Sequence, residues 1–157
     1  VSAQSGYWAV QGGHERARVR VIVTVLMPVL SRLFGYFPWG RFARGEDLPK
    51  GVALEWPRWC RPPNYLLDDD SLPLERYRRF EAPVLAYSIE DDDWGTRRAV
   101  DDMMRAYPNV ERRHIAPGEY GLTRLGHMGW FRESSEPVWR EAIEWLEGVA
   151  PRRKQAL

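Results

Sequence analysis

Pro83-Val-Leu-Ala-Tyr-Ser-Ile-Glu-Asp-Asp-Asp93 is the stretch that decides the fold. Its first seven residues form a short apolar run, the pattern of a strand buried on both faces of a parallel sheet. The next four form an acidic turn. In open parallel sheets, functional groups collect just beyond the carboxyl ends of the strands, so this turn is a candidate site.

The pattern stays regular downstream. Ala99, Val100, Met103, Met104 and Tyr107 recur at helical spacing, and Pro108 follows the last of them. Val110 to Ile115 reads as a second strand, and its Glu111, Arg112, Arg113 and His114 suit an edge position. A loop with Gly118, Gly121, Gly126 and Gly129 comes next. Ser134 or Ser135 is placed to cap a last helix with Pro137 in its first turn. Val138, Ala142, Trp145, Leu146 and Val149 give that helix its apolar stripe. Pro151-Arg-Arg-Lys154 reads as a solvated basic tail. Strand, helix, strand, loop and helix make up a crossover unit with a closing helix, which belongs to a doubly wound sheet. The unit supplies two strands and Val1 to Ser5 could end a third, so the implied sheet is incomplete against the usual five or so.

Upstream of Pro83 the chain is irregular, aromatic and rich in proline and glycine. Arg16 to Phe34 is expected to be helical, although Val21-Ile-Val-Thr-Val25 has strand-like propensity and Pro28 predicts a kink. Gly35 to Gly40 reads as a loop. A short helix is expected within Leu48 to Cys60, starting near Pro49. Asp68 to Asp70 reads as a solvated turn, and Pro73 to Phe80 as one or two helical turns.

Composition narrows the function classes. The chain has 157 residues, 44% of them apolar, enough for one domain with a real core. With 23 basic and 22 acidic residues the net charge is +1, which gives no electrostatic case for nucleic acid or an anionic membrane as partner. The apolar run Val21 to Leu30 is too short to span a bilayer, and the opening residues do not read as a signal peptide. The single cysteine, Cys60, rules out an internal disulfide, fits a cytoplasmic setting and reads as a buried apolar residue. No histidine pair, Cys-His group or calcium-loop spacing points to a metal. Gly121 to Gly126 imitates a phosphate loop, but His127 and Met128 stand where lysine and a hydroxyl residue are required, and no Gly-x-Gly-x-x-Gly occurs. No cofactor is therefore expected.

Two positions carry candidate chemistry. One is the acidic turn. The other is Gly126-His127-Met128-Gly129, a histidine on a bent, accessible loop. Asp92 and His127 lie 35 residues apart, room for one helix and one strand, so both side chains should reach the same edge of the sheet. An aspartate there can orient a histidine and stabilise its protonated form. Asp93 more naturally caps the following helix. His14 and His114 read as surface residues.

This order of elements resembles the end of the α/β-hydrolase fold, in which the catalytic triad runs Ser, then Asp or Glu, then His along the chain. More narrowly, Gln4-Ser-Gly-Tyr-Trp8, Gly35-Tyr-Phe-Pro38, Asp47-Leu-Pro-Lys-Gly51, Trp56-Pro-Arg-Trp-Cys-Arg61 and Gly126-His-Met-Gly-Trp-Phe131 resemble a group of predicted bacterial α/β-hydrolases. The resemblance implies that residues 1–6 end a core strand and that 7–79 form a largely helical cap. It makes 80–150 the C-terminal part of the core and 151–157 a tail. It also implies hydrolysis of an ester, amide or related acyl bond, with His127 as general base and acid. Asp92 would orient it, with Asp91 as the alternative; Thr96 stands where the superfamily often has proline, four residues after the acid, which points to Asp92.

The departure concerns the nucleophile. The fold presents it as Gly-x-Ser-x-Gly, and no serine here is so flanked: Ser5 has Ala3 and Tyr7 at those positions, and Ser31 has Val29 and Leu33. The expectation is a serine hydrolase's C-terminal part, inactive alone, and the rival is a non-catalytic interaction or ligand-binding remnant of the fold. The expected partners are a small-molecule substrate with an apolar or aromatic part, met by Tyr7, Trp8 and Trp130, and either self-association or a complementing N-terminal segment. For Trp130, packing beneath the histidine loop is the stronger expectation.

Overall fold

The computed structural model describes residues 3–42 and 45–149. Val1 and Ser2 of the expected strand end, and the basic tail, lie outside the described residues. Within these the chain is mixed α/β, with helices and two separate two-stranded sheets, one antiparallel and one parallel.

The first part is built on helices. Helix α1 (Glu15–Val21) runs through a π-helical stretch (Ile22–Leu26) into α2 (Met27–Phe34). The buried residues Val19, Val23, Met27 and Ser31 recur every four positions. In a purely α-helical run each step of four overshoots a full turn by about 40°. The wider π turns undershoot, so inserting them keeps the stripe against the core. The expected kink thus takes the form of a π stretch, marked by the Met27 N–H donating to the Ile22 carbonyl. Pro28 is the second residue of α2, directly after the π stretch, and having no N–H it donates nothing to the ladder at that point. The strand-like run is helical, and the Thr24 hydroxyl donates back to the Arg20 carbonyl at 2.7 Å.

The Gly35–Gly40 segment is more than a loop. Its β1 (Tyr36–Phe37) pairs antiparallel with β2 (Leu48–Pro49), and α3 (Lys50–Trp59) follows directly. Phe37, Ala53 and Cys60 close one hydrophobic cluster with Val19, Val23 and Met27. Burial pushes the Cys60 thiol up to about 12, so it stays protonated and packs as an apolar group. Asp68 ends a 3₁₀ turn (Tyr65–Asp68), and α4 (Glu75–Arg78) is a single turn.

The second part follows the regular pattern. Strand β3 (Val84–Ile89) pairs parallel with β4 (Val110–Ile115), Val84 opposite Val110 and Ile89 opposite Ile115. Between them runs α5 (Arg97–Met104), and α6 (Glu136–Val149) closes the chain. The pleat sorts β3 into two faces. Val84 and Ala86 pack with Val100, Met104 and Val110 under α5. Tyr87 and Ile89 pack with Ile115, Leu125, Trp130 and Val138 under α6. Glu141 keys α6 to this face by accepting from Arg113 of β4, from Tyr120 and from the Tyr87 hydroxyl.

Two capping expectations are corrected. Thr96, not Asp93, caps α5: its hydroxyl accepts from the Ala99 N–H at 3.2 Å and donates to the Val10 carbonyl at 2.6 Å. Asp93 instead meets the N-terminal segment, its carbonyl accepting from the Gly12 N–H at 2.7 Å. Ser135 directly precedes α6, but its hydroxyl donates to the Gly129 carbonyl at 2.8 Å and so ties the histidine loop to the helix start.

Ile115 is 1% exposed and Leu33 72% exposed. Ile115→Ala should therefore destabilise the chain by roughly 2–5 kcal/mol in urea unfolding. Leu33→Ala should stay within about 0.5 kcal/mol of the parent.

Candidate active site

The parallel register brings the turn after β3 and the loop after β4 to one edge. Asp92 is buried there, and its carboxylate meets the His127 ring: Nδ1 lies 2.9 Å from Oδ2 and 3.2 Å from Oδ1. Oδ1 also accepts from the backbone N–H groups of Trp94 at 2.9 Å and Gly95 at 2.8 Å. Backbone donors thus satisfy the oxygen that the imidazole shares, and the carboxylate is held in one orientation. Gly95 is required for this approach, because a Cβ there would stand 2.5 Å from Asp92 Oδ2.

Asp91 has a different task. Its two oxygens accept from the backbone N–H groups of Leu125 at 3.0 Å and Gly126 at 2.8 Å. It clamps the loop that carries His127, and Gly126 reaches that geometry with φ of 62°. Of the two candidate acids, Asp92 is the one that touches the histidine.

The electrostatics are those of an oriented base. Burial works against the Asp92 carboxylate, but the bonds from His127, Gly95 and Trp94 outweigh it and hold the carboxyl below its usual range. The hydrogen bond to Asp92 lifts the His127 imidazole above its ordinary value, against partial burial, and the carboxylate's charge adds to the rise. With Nδ1 on Asp92, Nε2 is the nitrogen left for proton transfer; the tautomer follows from this bond.

His127 and Asp92 stand at a cavity of about 820 Å³ that runs along β3, with α5, α6, the Pro73–Phe80 segment and Ala3 and Gln4 around it. Trp130 lines it, buried and tilted against Tyr87 with ring centroids 4.9 Å apart, so it both packs and faces the space. Tyr7 and Trp8 do not line it. Their rings meet edge-on, and Trp8 packs on the first part's cluster beneath the Arg20 guanidinium. His14 is exposed beside Glu15, and His114 pairs with Ser88 through Nδ1 at 2.9 Å. Among the described residues no serine is bonded to His127, and no group of three or more His, Cys, Asp or Glu side chains could hold a metal. Sequence reasoning missed the Asp91 clamp, the role of Gly95, and Trp94, whose ring centroid lies 5.9 Å from that of His127. Asp92 accepting from the N–H two residues on is an Asx-turn, which an Asp-rich turn ending in glycine could have signalled.

Comparison with protein-family models gives no match for the chain, and neither curated proteins nor solved structures give a significant one.

The Asp92–His127 pair has a defined pH signature. Asp92's folded value is depressed, so its stabilising contribution is present above the ordinary carboxylate value and is lost as pH falls through the folded one. His127's is raised, so its contribution is full below the ordinary imidazole value and is lost as pH rises through the folded one. Both are complete between roughly pH 4 and 6.5. An NMR titration should find the His127 ring above the ordinary imidazole value, and Asp92→Asn should bring it down. An unchanged titration in that variant would contradict the pairing.

Proposed function

We propose that the chain carries the acid–base half of a serine-hydrolase active site, on the C-terminal part of a doubly wound α/β-hydrolase fold with residues 7–79 as its cap. The observation that supports this best is the Asp92–His127 hydrogen bond at the carboxyl edge of the parallel pair, with Nε2 left over beside a cavity. The likeness of the Gly126–Phe131 segment and of the element order to that fold supports it as well.

In this reading Nε2 takes the proton from a serine hydroxyl as its oxygen attacks an acyl carbon, and later returns the proton to the leaving group. Asp92 holds the imidazole in the Nδ1–H tautomer and stabilises the imidazolium that forms. The indoles of Trp94 and Trp130 give the surroundings of His127 an apolar character, which suits an ester or amide with an apolar or aromatic acyl part. The serine and the oxyanion donors come from outside these residues. The pair therefore prepares a base, and the chain by itself does not complete the reaction.

A second reading, a non-catalytic binding protein on the same fold, is favoured by one observation: the cavity beside β3 has mainly apolar walls.

The test is hydrolysis of short p-nitrophenyl esters by the longest polypeptide encoded in frame with these residues. Turnover is expected there and not in the 157-residue chain. His127→Ala and Asp92→Asn should each lower kcat on the order of 10³–10⁴-fold. The rate should rise with pH through the elevated value of His127, since the base must be neutral to accept the proton. Turnover unaffected by either substitution would rule the reading out, and a folded, inert long form would favour the second one.

A further inference from the structure

Two indoles stand near His127, and they differ in place. Trp130 lines the cavity, and Trp94 lies outside its lining. The Trp94 ring centroid is 5.9 Å from that of His127, with 38° between the planes. The Trp94 backbone N–H donates to Asp92 Oδ1 at 2.9 Å, and the same oxygen lies 3.2 Å from His127 Nδ1. One carboxylate oxygen thus joins the backbone that carries the indole to the ring that the indole meets. The Gly95 N–H, 2.8 Å from that oxygen, fixes the turn further. The indole N–H groups of Trp56, Trp59 and Trp145 donate to Tyr65, Asp69 and Glu111, whereas that of Trp94 has no acceptor among the described residues. The turn and the contact with His127 therefore place this ring, and no side-chain hydrogen bond does.

An indole attracts a cation that lies within about 6 Å of its centroid, through the negative potential over its face. An imidazolium gains this attraction and a neutral imidazole does not. Apolar cover alone acts in the other direction, since it takes water from the charged ring and disfavours it. The two effects have opposite signs, so the part Trp94 plays can be read from how His127 titrates. The other titratable groups around the site are Asp91 and Asp93 of the turn, Arg124 and Arg132 of the loop, and Arg76 and Tyr87 of the cavity lining. Asp92 is the group that lifts His127, through its hydrogen bond first and its charge after, with burial opposing. None of these groups changes when Trp94 does.

We propose that Trp94 is a positioning residue for His127: its indole holds the imidazole on Asp92 and stabilises the protonated ring by a cation–π contact. Its catalytic meaning rests on the hydrolytic reading, in which the imidazolium is the species formed as the serine attacks. There the contact favours the step that takes up the proton. It also sets a pH limit, because a base whose charged form is favoured becomes neutral only at higher pH. The contact itself stands or falls without any turnover.

The test is an NMR titration of the His127 ring protons in the full chain, their signals assigned by their loss in His127→Gln. Trp94 is half-buried, so Trp94→Leu should keep the fold and the cover while removing the π face. It should lower the His127 midpoint by roughly 0.4–0.7 pH units. Trp94→Phe, which restores a π face, should recover much of the fall. The midpoints of His14 and His114 should stay where they are, which separates a local effect from a loosened fold. In the parent, nuclear Overhauser contacts between the Trp94 indole and the His127 ring should be present below the midpoint. An unchanged midpoint in Trp94→Leu overturns the proposal, and a raised one shows that the indole is cover only. An equal fall in both variants assigns the effect to the indole's shape and overturns the cation–π contact. Absence of the Overhauser contacts in the parent overturns the proposal whatever the variants do. An inert long form with the expected titrations would reject the hydrolytic reading and leave the contact standing.

Discussion

The parallel pairing of β3 with β4, in step from Val84 to Ile89, is the constraint on which everything else hangs. Because the strands run the same way and end together, the turn after one and the loop after the other emerge side by side. Two residues far apart in sequence become neighbours with no further device. The two faces then need covering, which α5 and α6 do. A sheet of two strands is otherwise too small to hold itself together in water.

At the emerging edge, burial and charge are balanced group by group. A buried carboxylate on its own would be neutralised, and Asp92 escapes this because two backbone donors and an imidazole surround it. Asp91, one residue earlier and exposed, spends its oxygens on the loop instead. One aspartate thus positions the histidine's ring and the other positions its backbone. Two adjacent like residues acquire separate tasks because successive side chains leave a turn in different directions.

Much of the second part was legible in the sequence. The apolar run at Pro83, the helical spacing after it and the polar strand from Val110 are local patterns, and each matches an element of the structure. The spacing of Asp92 and His127 follows from them. What was not legible depends on contacts between distant residues. The β1–β2 pair has two residues per strand, too few to leave a period, and exists through pairing and the burial of Phe37. The choice of Thr96 over Asp93 as cap is made by the Val10 carbonyl, which takes the threonine's proton from across the chain. The π stretch answers a four-residue spacing of buried positions that only the opposing core reveals. Tyr7 and Trp8 look like pocket residues by type, yet Trp8 is drawn to the apolar cluster of the first part.

The joint between the N-terminal segment and the acidic turn has a consequence for the order of assembly. Ser5, Val10 and Gly12 bond to Ala99, Thr96 and Asp93, contacts that each close a loop of more than 80 residues. The β3–α5–β4 unit closes over fewer than 30, so its chain-entropy cost falls due earlier and is smaller. The strand pair and its helix are therefore expected to condense first, as a template whose acidic turn is only half supported. The N-terminal segment locks that turn when it docks. Final geometry around the histidine then arrives with the later of these two events, and a chain interrupted before it would hold the right residues in a loose arrangement.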